Sequence, residues 1–74
     1  MKKKYLAIVF NQEQKKALFD VLICCYTEID GYKETKNTTR FIFHLANDNT
    51  RMNFKVKYNT LPTRLRFKVI ELKK

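Results

Sequence analysis

The 74-residue chain has no serine and no tryptophan, and only one glycine, one proline and one histidine. A single glycine cannot build a glycine-rich phosphate loop. The lack of serine, with His44 as the lone imidazole, removes the Ser–His hydrolases. His44 falls in a predicted strand, with no Cys or carboxylate at metal-ligand spacing. It reads as a solvent-facing or hydrogen-bonded histidine. No catalytic residue, metal ligand or cofactor is therefore nominated, and an enzyme is not expected. No stretch approaches the ~20 apolar residues of a membrane span, so no membrane partner is expected. The apolar run at 5–10 is too short for a signal peptide, and no small-residue cleavage site follows it.

Cysteine is also scarce. Cys24 and Cys25 are adjacent in an apolar run, and neighbours on a helix diverge by about 100° and do not readily bridge. Both are expected to be buried, reduced thiols, which suits a cytoplasmic protein. Apolar surroundings raise a thiol's pKa, which argues against Cys24 and His44 as a nucleophilic pair.

What is present describes a folded chain: 45% hydrophobic and 14% aromatic residues are too many for a disordered one. At this length it forms one domain over 1–74, burying only about 60% of the surface of the unfolded chain.

Residues 5–10 (YLAIVF) are a continuous apolar run with β-branched and aromatic members. They read as a strand covered on both faces, hence central or covered by a partner. Asn11 caps a helix over 12–29, with Gln14 able to reach back as in a capping box. Leu18, Leu22, Cys25 and Ile29 form its buried stripe, and Gly31 is the expected left-handed C-terminal residue. A polar loop follows to 38, then a strand over 39–46 with Phe41, Phe43 and Leu45 inward. The run 47–50 (NDNT) reads as a turn. Residues 51–58 alternate, with Met52, Phe54, Val56 and Tyr58 in, and Arg51, Asn53, Lys55 and Lys57 out; this predicts the second strand of a hairpin. A last strand is expected over 64–72, with Leu65, Phe67 and Val69 in. Its alternation breaks at Ile70, Glu71 and Leu72. The expected fold is α+β: two layers, one amphipathic helix on a mostly antiparallel four-stranded sheet, in the order β-α-β-β-β.

Charge is the strongest global feature, sixteen Lys and Arg against seven Asp and Glu. Nine of those bases but only two of the acids lie in 38–74. With the helix on one side of the sheet, the parity of the predicted strands places Arg40, His44, Arg51, Lys55, Lys57, Arg64, Arg66 and Lys68 on the open side. Same-face neighbours at about 5–7 Å repel one another, so gathering them suggests use. Arg40, Arg51, Lys55, Lys57, Arg64, Arg66 and Lys68 are accordingly the candidate binding residues. The competing reading is a solvated face, for which lysine is an ordinary choice.

Two functions follow from such a face. One is a small basic protein that contacts nucleic-acid backbone, with duplex favoured because the aromatics fall on the core side and leave no stacking platform. The alternative is an inhibitor or adaptor, of the kind a phage or mobile element encodes, docking its basic face on an acidic protein or a nucleoprotein complex. A homodimer through Ile23, Cys24, Ile70 and Leu72 is compatible with either.

Overall fold

A computed structural model describes residues 3–72. Its elements are β1 (Lys3–Val9), α1 (Gln12–Cys24), β2 (Ile29–Glu34), β3 (Thr39–Leu45), α2 (Asp48–Thr60), a 3₁₀ turn (Thr63–Leu65) and β4 (Lys68–Leu72). The α+β class and the single four-stranded antiparallel sheet agree with expectation, but the order is β-α-β-β-α-β. The sheet runs β2-β3-β1-β4, with every neighbouring pair antiparallel. β1 and β2 are therefore parallel with β3 between them, and β3 and β4 are parallel with β1 between them. Two such split βαβ units make the ferredoxin-like arrangement.

The N-terminus of α1 forms as expected. Asn11 Oδ1 accepts from the Gln14 N–H at 2.8 Å, and Gln14 Oε1 accepts from the backbone N–H of Phe10 at 2.8 Å. The helix ends earlier than predicted, at Cys24, and Tyr26 takes the left-handed role foreseen for Gly31, with φ of 53°. The Thr27 N–H reaches the Leu22 carbonyl and the Tyr26 N–H reaches the Ile23 carbonyl, a Schellman closure. Tyr26 pays a steric cost there that glycine avoids, and its side chain is 97% exposed. Tyr26→Gly is expected to stabilise the protein by about 1 kcal/mol. A thermal melt should rise by roughly 4–8 °C.

Three elements depart from the sequence reading. The strand expected over 64–72 begins only at Lys68, because Thr63–Leu65 turn as a 3₁₀ helix after Pro62. Residues expected as a polar loop form β2, an edge strand whose bulge falls between Ile29 and Gly31. Residues 51–58, expected as a strand, lie within α2. Asn47 Oδ1 caps this helix by accepting from the Thr50 N–H at 2.9 Å. Phe54 then faces the core with Tyr58 and Leu61, at helical spacing. Met52 and Val56, inward by alternation, are 66% and 55% exposed instead.

Both helices cover the same side of the sheet. Leu18, Val21 and Leu22 of α1 and Phe54 of α2 are buried in one core with Ala7, Val9, Phe41, Phe43, Leu45 and Phe67. Phe43 lies at its centre, stacked on Tyr5 at 5.7 Å and against Phe54 at 5.4 Å. The Tyr58 hydroxyl donates to the Phe67 carbonyl at 2.7 Å, which ties α2 to the approach of β4.

Candidate interaction surface

The uncovered side of the sheet follows from the strand register, because residues paired across antiparallel strands share a face. Three rows cross it. The first is Lys68, Ile8, Arg40 and Lys33; the second is Ile70, Leu6, Ile42 and Gly31; the third is Leu72, Lys4 and His44. The middle row is wholly uncharged, and cations concentrate in the first. In the third, His44 Nδ1 is held at 2.7 Å from Asp30 Oδ2, in the bulge of β2.

This face is not the uninterrupted basic surface expected. Of the proposed residues, Arg40 and Lys68 lie on it, together with His44. Arg51, Lys55 and Lys57 belong to α2, behind the sheet, and Arg64 and Arg66 to the segment joining α2 to β4. The cause is the helix: an alternating series wound at 100° per residue no longer projects to one side. Three of the displaced cations also have local work. Arg51 pairs with Asp48. Arg64 Nη1 lies 3.1 Å from Glu13 Oε2, linking the 3₁₀ turn to α1. Arg66 donates to the carbonyls of Leu61 at 3.1 Å and Asn59 at 3.0 Å, closing the C-terminal end of α2. Arg66→Ala is expected to cost about 1 kcal/mol. Lys55→Ala, at an exposed position, should leave a urea melt almost unchanged.

The apolar positions thought to form one dimer surface are likewise divided. Ile23 and Cys24 are exposed on α1, whereas Ile70 and Leu72 lie on the open sheet face. Nor are both cysteines buried. Cys25 is buried, and burial, then its neighbour Cys24, pushes its thiol pKa up. In native protein near neutral pH, iodoacetamide should therefore label Cys24 quickly and Cys25 slowly, with Cys25 catching up only on denaturation. Peptide mass mapping reads both rates.

Sequence reasoning placed Ile42 on the outward side of its strand by parity, beside Arg40 and His44, but missed Leu6, Ile8, Lys33 and Gly31 as surface residues. Two signals pointed to them. The run 5–10 required cover on both faces, and the helices provide it on only one. The broken alternation at Ile70 and Leu72 is not a bulge, since β4 pairs with β1 in unbroken register. It marks parity carried onto an apolar open face.

Among the described residues, no helix is long and apolar enough to cross a membrane. No protein-family model matches the chain, and neither does any curated protein sequence.

Proposed function

We propose that the protein is a non-enzymatic interaction module that docks its open sheet face on an acidic protein surface. The observation that carries this reading is the row Ile70, Leu6, Ile42 and Gly31 beside the row Lys68, Ile8, Arg40 and Lys33. An antiparallel sheet facing only water normally alternates apolar and polar residues. An apolar middle with a cationic border suits a partner that is apolar at the contact and negative around it. A duplex backbone offers charge but nothing for the middle row to bury against, and the one aromatic at its edge, Tyr32, has its ring stacked on Phe41 on the helix side, so this face presents no stacking platform. A cytoplasmic setting belongs to the same proposal, on the free thiols Cys24 and Cys25.

The test compares the wild type with an Arg40→Glu, Lys68→Glu double variant. Each is used to select from a random displayed-peptide library and is titrated with heterologous duplex DNA and RNA at about 150 mM salt. The wild type should enrich acidic-apolar peptides, the variant should not, and nucleic-acid binding should be weak. Failure of the wild type to enrich any such peptide sinks the reading. So does submicromolar nucleic-acid binding that the double variant abolishes, which would restore the nucleic-acid alternative.

A further inference from the structure

The open face contains a hollow of about 480 Å³, lined by Leu6, Ile42 and Leu72 with Gly31, Tyr32, Lys33 and Arg40. Gly31 keeps it open. A Cβ built there meets nothing within 4 Å, and the residue does not have positive φ. Glycine in a strand weakens it and marks a bulge or a place where another molecule approaches closely. The β2 bulge ends at Gly31, but without positive φ the backbone there does not require glycine, which leaves the open space as its use. At one end of the hollow stand Lys33 and Arg40, directly paired across β2 and β3. Like charges in that position repel. The neighbouring acids do not relieve them: Glu34 pairs with Thr39 on the opposite face, and Asp30 is bound to His44.

The size of the face limits what can occupy it. Four strands about 4.8 Å apart and three rows about 6.8 Å apart span roughly 14 by 14 Å between outer Cα atoms. That is far below the ~800 Å² per partner of a standard interface, so it suits a short segment better than a stable second copy. A second copy would also bring its own cations against these.

Resting on the docking reading above, we infer that the hollow receives an extended segment of a partner protein carrying an apolar side chain and, two residues away, a carboxylate. The apolar side chain fills the space over Ile42 left by Gly31. The carboxylate meets Lys33 and Arg40. The spacing follows from strand geometry: the Gly31–Ile42 and Lys33–Arg40 pairs are two residues apart on each strand, about 6.8 Å, as are alternate side chains of an extended peptide. Arg40 offers the planar fork that binds a carboxylate bidentately.

The experiment uses the full chain, ¹⁵N-labelled, and three acetylated, amidated pentapeptides: TLTET, TLTQT and TATET. TLTET should give saturable amide shifts at millimolar peptide, concentrated on Leu6, Gly31, Lys33, Arg40, Ile42 and Leu72. Loss of the carboxylate in TLTQT, or of the leucine in TATET, should weaken binding roughly tenfold. Gly31→Leu fills the hollow without strain and should weaken TLTET binding at least as much, while its spectrum shows the rest of the fold intact. Equal binding of TLTET and TLTQT, or unchanged binding by Gly31→Leu, overturns the proposal. If the displayed-library selection nevertheless yields peptides that need Arg40 and Lys68, the docking reading stands and only the hollow's role falls. If neither probe engages the face, both fall.

Discussion

A chain starting at Asn11 is expected to lose cooperative unfolding altogether. β1 lies between β3 and β4, pairing with β3 from Lys3 to Val9 and with β4 from Lys4 to Ile8. Its removal leaves β4 with no strand to pair with, because β4 has no other neighbour in the sheet. It also takes Ala7 and Val9 out of the core. A domain this small has little in reserve, about 4–11 kcal/mol at typical values per residue. Far-UV circular dichroism of the truncated chain should lack the native spectrum, and heating should give no sigmoidal transition. Retention of both would mean that the sheet closes without its central strand.

Phe43→Ala is expected to be the most damaging single substitution. Phe43 is fully buried, with Tyr5 and Phe54 packed against it from β1 and α2. Truncating a buried phenylalanine costs about 3–5 kcal/mol, the lost transfer energy adding to an unfilled cavity. That is about a quarter of the stability available at the top of the range above and nearly all of it at the bottom. Chemical denaturation should show the midpoint falling by a quarter or more of its wild-type value, whereas Phe43→Leu should lower it much less. A loss under about 1 kcal/mol for Phe43→Ala would be out of scale with a central core position.

Legibility in the sequence varied with how much of each element is buried. α1 is covered by the sheet along one stripe, so its period and its Asn11 cap were plain. β3 alternates because only one of its faces meets the helices. α2 was misread because Met52, Phe54, Val56 and Tyr58 alternate by coincidence, while only Phe54 among them is buried. The decisive signal was Asn47, read as part of a turn although Asn11 had marked a helix in the same way. β2 was missed because an edge strand buries little: beyond Ile29 it reads Asp30, Gly31, Tyr32, Lys33 and Glu34, which is loop-like by composition. The candidate surface inherited these errors. Arg40 and Lys68 were assigned to the open face correctly because their strands were. Arg51, Lys55 and Lys57 were assigned there by a strand that does not exist.

The pairing of Lys4 with Leu72 has a practical meaning for handling the protein. Neighbouring strands carry the two ends of the described chain to one corner of the sheet, beside the row that holds His44. A fusion partner joined directly at Lys3 or Leu72 starts from that corner and can shadow the open face, so a capture surface is better anchored through exposed Cys24 on α1, behind the sheet. The same closeness lets a short linker join Leu72 to Lys3, with new termini cut at the exposed residues Lys36 and Asn37 between β2 and β3. Such a rearranged chain would carry its ends across the sheet, on the β2–β3 side, and leave the β1–β4 corner clear.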